Sequence, residues 1–350
     1  MKETIKKDLS VETLRGLAII LVVMGHVIGS KSDGGMKVAD DSFLRHLYYT
    51  FQYLRMPLFT VISGWVYALR PCTSAYFKDF TLKKIRRIIF PLIFVGGTYY
   101  IVQDLVPGTN FSYPISHIWR IIIFPYTLYW YLMGLFIVFS VISIIDVQKL
   151  ADKFSHWLIL FGLAILLLIF RDTIIPKSVP NYFGFKGAIY LFPFFVLGVG
   201  MKRFDTFFKN KTFLWIVGSV LIVGIIIQQL AWYGIIDYHF SANGGLGLLI
   251  GVTGVIICLR IHFVVDWLVW MGKFAYTIYL FHSFGTSGGR ILLNDMGIHQ
   301  TAFVFFISLG LGLFFPILVE TVFDRYSWTR MLFLGRAMKK KDTGLKLSKS

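Results

Sequence analysis

The sequence predicts an all-helical integral membrane protein, a polytopic bundle of about ten transmembrane helices. Of its 350 residues, 56% are hydrophobic and only 15% are charged, and the mean hydropathy is +0.70. Soluble domains are about 45–50% apolar and ~25% charged. Apolar stretches long enough to cross a bilayer also recur along the chain. Because backbone polar groups in lipid must be bonded internally, and these stretches are too uniformly apolar for barrel strands, we expect them to be helices.

The predicted spans follow one another with short loops and no internal repeat. The fifth and sixth approach the ~17-residue lower limit for a span, which leaves their number open by one or two. We assign the spans to residues 14–30, 47–68, 88–106, 120–145, 157–170, 188–201, 213–236, 246–260, 275–293 and 300–319.

The charge distribution predicts the topology. The chain has 35 Lys and Arg against 18 Asp and Glu, a net charge of +17. Most of these cations fall on one side if the N-terminus is inside, so the positive-inside rule places both termini in the cytosol. The bilayer is therefore the expected partner, with some attraction to anionic lipid. Nucleic acid is not an expected partner, because the basic excess is mostly a signal of membrane topology.

The chain is expected to form one membrane domain, 1–335, followed by a Lys- and Ser-rich tail, 336–350, which we predict to be disordered and cytosolic. The first segment lacks a small-residue cleavage site, so we expect no cleavable signal peptide. The two cysteines, Cys72 and Cys258, predict neither a disulfide framework nor a metal site.

The first span holds an arginine and a histidine on one helix face. Arg15 and His26 are eleven residues apart, which at about 100° per residue is three turns plus ~20°, with a rise of ~16 Å. The imidazole then lies near mid-membrane, above a cation at the surface. His26 is either a structural histidine bonded to a neighbouring helix or a general base for a hydroxyl. Ionisable groups at this depth usually line a pathway or a reaction site.

A second candidate is the basic run before Pro91. Lys83 and Arg86, and likewise Lys84 and Arg87, are three positions apart in the sequence and would be adjacent on a helix. Basic pairs of this kind suit phosphate groups. The alternative is that they are ordinary positive-inside charges.

Two further segments carry polar residues within apolar sequence. Residues 56–65 contain a proline and a Ser-Gly pair, which by physics alone indicates mostly packing. His282 is a second histidine within a predicted span and is followed by a Gly/Ser/Thr-rich stretch and Arg290. Both a packing role and a site role are open for His282 and Arg290.

Together these pieces resemble acyltransferase family 3, the integral-membrane acyl-CoA-dependent O-acyltransferases of bacterial surface glycans. The matching pieces occur in the family's order and extend over most of the chain. The family often shows Arg-x-x-Arg, where this chain has Lys83-x-x-Arg86 and Lys84-x-x-Arg87. The pieces are Arg15-x10-His26, Met56-Pro57-Leu58-Phe59 with Ser63-Gly64, the basic run before Pro91, Tyr129-Trp130-Tyr131-Leu132, Phe194-Phe195-Val196-Leu197-Gly198, and Gly272 with Tyr279-Leu280-Phe281-His282.

The resemblance implies a mechanism and a location. Acetyl-CoA, or another short acyl-CoA, would be a co-substrate from the cytosol rather than a bound cofactor. Its phosphates would bind Arg15, Lys83, Lys84, Arg86 and Arg87. His26 would deprotonate a hydroxyl of a cell-surface polysaccharide, glycan precursor or glycolipid, or carry the acyl group transiently.

On the acceptor side, the resemblance suggests roles for His282 and Arg290, in a multi-pass protein of the bacterial inner membrane. The main alternative is a secondary transporter or exporter of a polar or anionic solute, which would also use buried histidine and arginine. A third possibility is an enzymatically silent partner of a polysaccharide synthase. The sequence does not determine the oligomeric state.

Overall fold

A computed structural model describes residues 8–238, 240–241 and 243–339. All regular secondary structure in these residues is helical, which confirms the predicted fold class. Four short 3-10 helices, Ser74–Tyr76, Ile115–His117, Thr127–Tyr129 and Tyr182–Gly184, and a π-helical turn, Ile85–Ile89, join the α-helices. The α-helices are α1 (Leu9–Ile28), α2 (Phe43–Phe51), α3 (Arg55–Ala68), α4 (Phe77–Lys84), α5 (Phe90–Leu105), α6 (Arg120–Ile123), α7 (Trp130–Val147), α8 (Phe154–Ile169), α9 (Arg171–Ile174), α10 (Phe185–Arg203), α11 (Asp205–Phe208), α12 (Lys211–Trp232), α13 (Gly245–Arg260), α14 (Asp266–Asp295), α15 (Thr301–Phe323) and α16 (Ser327–Leu332).

Six described helical segments are long and apolar enough to cross a membrane, fewer than the ten spans predicted. The other predicted spans coincide with helices that are shorter or more polar. Both α8 and α13 have 16 residues, α3 has 14 because it begins only at Arg55, and α14 carries Lys273 and Arg290. The six are Leu9–Ile28, Ser74–Leu105, Ile115–Val147, Tyr182–Arg203, Lys211–Trp232 and Thr301–Phe323.

Helix α1 is the centre of the bundle and packs against α14, α3 and α15. It begins at the N-cap Asp8, whose carboxylate accepts hydrogen bonds from the backbone N–H groups of Ser10 (3.0 Å) and Val11 (3.4 Å). It ends at Gly29, which has φ +82° and turns the chain out of the helix. We use "the Arg15 end" for the side of the bundle where α1 begins and "the opposite end" for the side where it finishes.

Glycine pairs set the closest helix contacts. A Cβ atom on Gly16 of α1 would lie 2.1 Å from the carbonyl oxygen of Leu268, and one on Gly272 of α14 would lie 2.3 Å from that of Glu12. Without side chains at these two positions the backbones of α1 and α14 come into direct contact, which is how small residues drive helix packing in membranes. This contact fixes the position of α14, which carries His282, relative to α1, which carries His26.

The π-helical turn lies within the basic run and changes its register. A π-turn inserts an extra residue, so successive side chains no longer follow the 100° steps of an α-helix. Pro91 has no N–H to donate to the carbonyl of Arg87 four residues earlier. The hydroxyl of Tyr276 donates to that carbonyl instead, which ties α14 to the basic run.

The described part of the predicted tail is packed against the bundle. The Arg336 guanidinium is paired with Glu320 and with Asp324, whose carboxylate lies 2.8 Å away. Gly335 lies against the backbone of Arg87. The chain is therefore held at Arg336, where we predicted the disordered tail to begin; residues 340–350 of that tail lie outside the described residues.

Candidate active site

The first candidate feature is a cavity of about 670 Å³ at the Arg15 end, which we call the inner basic cavity. It gathers all five residues predicted to bind acyl-CoA, although they come from α1, α4 and the π-turn. None of its described lining residues is acidic. Its basic residues are Arg15, Arg70, Lys83, Lys84, Arg86, Arg87, Lys273 and Arg336.

Aromatic rings hold several of these cations in place. The Lys84 ammonium lies 3.2 Å from the centroid of the Phe139 ring, and the Arg87 guanidinium lies 4.4 Å from that of Tyr276. The Lys83 ammonium donates to the Tyr76 hydroxyl at 2.7 Å. Such contacts stabilise a cation without neutralising it. None of these three residues is paired with a carboxylate in the part of the chain that the structure describes.

Two arginines of the inner basic cavity differ in their partners. Arg15 is paired with Glu12 at 3.0 Å, so its charge is partly compensated by the protein. The Nε atom of Arg86 is buried and has no hydrogen-bond partner among the described residues. Such an unpartnered buried donor is costly, and the protein supplies no carboxylate to compensate the Arg86 charge among the described residues.

The second feature is a cavity of about 140 Å³ at the opposite end, which we call the histidine cavity. His26 is exposed to it although the residues on either side, Gly25 and Val27, are buried. Arg290 lines the same cavity and donates to the carbonyl of Gly108 at 2.9 Å. The remaining polar lining consists of hydroxyl and amide groups from Tyr99, Gln103, Asn110, Ser283, Thr286, Ser287 and Ser308.

His282 faces His26, with ring centroids 4.9 Å apart. Its Nδ1 lies 3.0 Å and 2.9 Å from the carbonyl oxygens of Ile278 and Tyr279. Carbonyls only accept, so this network assigns the proton to Nδ1 and leaves Nε2 as an acceptor. That Nε2 atom is buried and has no partner among the described residues. The structure therefore places His282 beside the candidate base rather than merely on the same side of the membrane.

Three aromatic rings lie between the two cavities, and we call them the aromatic trio: Phe59, Tyr131 and Tyr279. Their centroids are 5.3–6.0 Å apart, and all three line the inner basic cavity. The Tyr279 ring is also 6.2 Å from that of His282. The trio thus separates the cations from the histidine pair. The Tyr131 hydroxyl is buried without a described partner, whereas that of Tyr279 donates to the carbonyl of Leu128.

Sequence reasoning missed four cations near these cavities: Arg55, Arg70, Lys273 and Arg336. Arg55 opens α3, and its guanidinium packs on α1 so closely that a Cβ atom on Gly25 would lie 1.7 Å from Nη1. The sequence did contain a signal for Arg55, because an arginine inside the predicted span 47–68 indicates a functional residue. The other three could be found only from the packing, because Arg70 and Lys273 look like ordinary loop charges and Arg336 follows the last helix.

The arrangement suits a reaction between two different ligands. A cavity lined by cations binds phosphate groups, and a cavity lined by hydroxyl, amide and imidazole groups suits a polar hydroxyl compound. An imidazole exposed to the second cavity has the chemistry of a general base or a nucleophile.

Comparison with known proteins gives the family. The family model described as "Acyltransferase domain", acyltransferase family 3, matches residues 8–321, nearly the whole chain. Neither the curated proteins nor the solved structures contain a match to the chain. Residues 8–321 include every helix that lines the two cavities. The apolar helices and this match together identify the chain as a membrane acyltransferase that belongs to acyltransferase family 3.

Proposed function

We propose that the protein transfers an acetyl or other short acyl group from cytosolic acyl-CoA to a hydroxyl of a cell-surface polysaccharide, glycan precursor or glycolipid. The observation that carries this proposal is the division of the predicted residues between two cavities. The five predicted donor residues line the inner basic cavity, and His26 and Arg290 line the histidine cavity. With both termini in the cytosol of a bacterial cell, the first cavity faces the donor and the second faces the cell exterior.

The negative charge of acyl-CoA determines which cavity it would bind. The phosphates of acyl-CoA would pair with Lys83, Lys84, Arg86 and Arg87, with Arg15 at the base of α1. The uncharged thioester arm would then extend along α1 and pass the aromatic trio. This order keeps the phosphates hydrated while the acyl group reaches the drier middle of the bundle.

His26 would be the residue that carries out the acyl transfer. Its free nitrogen would take the proton from the acceptor hydroxyl as the oxygen forms a bond to the thioester carbonyl carbon. The carbon–sulfur bond then breaks, and the CoA sulfur leaves with the proton returned by the imidazole. His282 and Arg290 would position the base and the acceptor. The same nitrogen could instead attack the thioester and carry the acyl group as an acyl-histidine before transfer.

The first test is transfer of radiolabel from [acetyl-14C]acetyl-CoA to membrane glycans by the purified, reconstituted protein. Replacing His26 with alanine should reduce transfer by about 10²–10⁴-fold, the usual contribution of a general base. His117→Ala is the matched control, because His117 is exposed and lines neither cavity.

Either part of the test can contradict the proposal. Equal labelling by the wild type and by folded His26→Ala would remove the histidine from the mechanism. No labelling with any acyl-CoA in a panel, combined with uptake of a polar solute into the vesicles, would favour the transporter instead.

A further inference from the structure

A third cavity, of about 330 Å³, lies at the end of the bundle opposite Arg15 and has a distinct charge. We call it the outer basic cavity and define it by Arg55, Arg171 and Lys186. The amides of Gln52, Asn181 and Asn243 also line it. We propose that the outer basic cavity binds an anionic group, a phosphate or carboxylate, that the acceptor carries. The assignment of this ligand to the acceptor rests on the proposed function.

The charge of the outer basic cavity is not balanced by its own lining. Among its described lining residues none is acidic. Arg171 pairs with the exposed Asp172 at 2.8 Å, and the Lys186 ammonium donates to the carbonyl of Val179 at 2.8 Å. One carboxylate therefore stands beside three cations. An anion entering this space gains charge-assisted hydrogen bonds from the cations and neutral ones from the amides.

Arg55 has partners that leave its charge in place. Its guanidinium lies 4.2 Å from the centroid of the Tyr48 ring and donates to the hydroxyl of the same residue at 2.5 Å. No carboxylate pairs with it among the described residues. Arg55 is the first residue of α3 and is only half-buried, so its charge remains able to pair with an anion that enters the cavity.

The topology does not explain these cations. The positive-inside rule accounts for lysines and arginines at the Arg15 end, which is the cytosolic end in the predicted orientation. The same rule predicts few lysines and arginines at the opposite end. Arg55, Arg171 and Lys186 come from three separate segments of the chain, yet they converge on one cavity. Convergence of this kind indicates a ligand rather than a topological signal.

Arg55 also connects the outer basic cavity to the reaction centre. Its guanidinium packs on Gly25, the residue before His26. An anion bound at Arg55 would therefore lie next to the segment of α1 that carries the base. This placement predicts an acceptor with an anionic group near the acylated hydroxyl, such as a glycan with an acidic or a phosphorylated sugar.

The test measures binding and needs no activity. Isothermal titration of glucose 1-phosphate, glucuronate and glucose is carried out on the full chain in phosphatidylcholine nanodiscs. The background is Lys83→Gln/Lys84→Gln/Arg86→Gln/Arg87→Gln, which removes half of the cations of the inner basic cavity and so lowers its contribution. We expect the two anionic sugars to bind at least about tenfold more tightly than glucose because only they can pair with the cations. Adding Arg171→Gln/Lys186→Gln should weaken their binding about tenfold and leave glucose unchanged.

The control variant removes the same amount of positive charge from residues outside the outer basic cavity. Arg120→Gln/Lys37→Gln removes one arginine and one lysine that are exposed and do not line the outer basic cavity. Equal affinity for glucose and the anionic sugars would overturn the proposal, as would equal losses in the two double variants. If phosphatidylglycerol in the nanodisc abolishes sugar binding, the site belongs to a lipid headgroup and the acceptor assignment is wrong. Because no acyl transfer is measured, failure here is distinct from failure of the His26 experiment.

Discussion

The inner basic cavity and the histidine cavity lie along the same helix but are built differently. The inner basic cavity is about 670 Å³ and lined by cations and aromatic rings, whereas the histidine cavity is about 140 Å³ and lined mainly by hydroxyl and amide groups. The first suits charge, and the second suits directed hydrogen bonds. Helix α1 therefore contributes to two sites at two depths. One is suited to binding charged groups and the other to forming directed hydrogen bonds, and the aromatic trio lies between them.

The largest expected effect in this comparison comes from the charge of the inner basic cavity. Replacing Lys83, Lys84, Arg86 and Arg87 with glutamine should raise the KM for acyl-CoA on the order of 10²-fold, because several charge-assisted contacts to phosphate are lost. The KM for the acceptor should not change. Initial rates measured against each substrate in turn give both constants.

A matched variant separates binding from topology. Lys78, Lys153, Lys211 and Arg325 are exposed basic residues that do not line the inner basic cavity. Replacing these four with glutamine removes the same charge and should leave both KM values unchanged. If both quadruple variants raise the donor KM equally, the basic run acts only through topology or lipid.

A smaller effect is expected on the acceptor side. Arg290→Gln should raise the KM for the acceptor by about tenfold, since one charged donor in the histidine cavity becomes neutral. The donor KM should be unaffected. Arg290→Lys, which keeps the charge, should recover part of the loss. If Arg290→Gln instead raises the KM for acyl-CoA, then Arg290 contributes to donor binding and not to acceptor binding.

The smallest effect concerns the aromatic trio and separates function from stability. Tyr131→Phe removes a buried hydroxyl that has no described partner, so the free energy of unfolding should stay level or rise by about 1 kcal/mol. If that hydroxyl instead binds the passing thioester arm, kcat/KM for acyl-CoA should fall about three- to tenfold. Thermal unfolding and donor kinetics on the same preparation measure both.

Tyr279→Phe is the comparison for Tyr131→Phe. The Tyr279 hydroxyl donates to the carbonyl of Leu128, and its removal should lower the free energy of unfolding by about 1–3 kcal/mol. If Tyr131→Phe is destabilised as much as Tyr279→Phe, then the Tyr131 hydroxyl is a structural group and not a ligand-binding one.

Local sequence patterns were enough to predict much of this site. Helix α1 runs from Leu9 to Ile28, so the eleven-residue spacing of Arg15 and His26 spans one continuous helix as expected. The basic run was recognisable from its charge density. Its geometry was not, because the π-turn at Ile85–Ile89 changes the assumed three-residue spacing.

The number of predicted spans exceeds the number of helices long and apolar enough to cross a membrane among the described residues, for a physical reason. Hydropathy identifies apolar stretches but not where a helix begins within them. The stretch 47–68 is divided between α2 and α3, with Arg55 at the start of the second. That division is what lets the Arg55 guanidinium reach Gly25.

The sequence by itself determined the helical class, the position of His26 within the first helix, and the density of positive charge before Pro91. Each of these depends on residues close in the chain, where helix geometry is a fixed rule. Only the tertiary structure decided that Arg336 and Lys273 join the basic run, that His282 faces His26, and that Arg55 meets Arg171 and Lys186. Those neighbours depend on how distant helices pack, and contacts such as Gly16 and Gly272 set that packing through space rather than along the sequence.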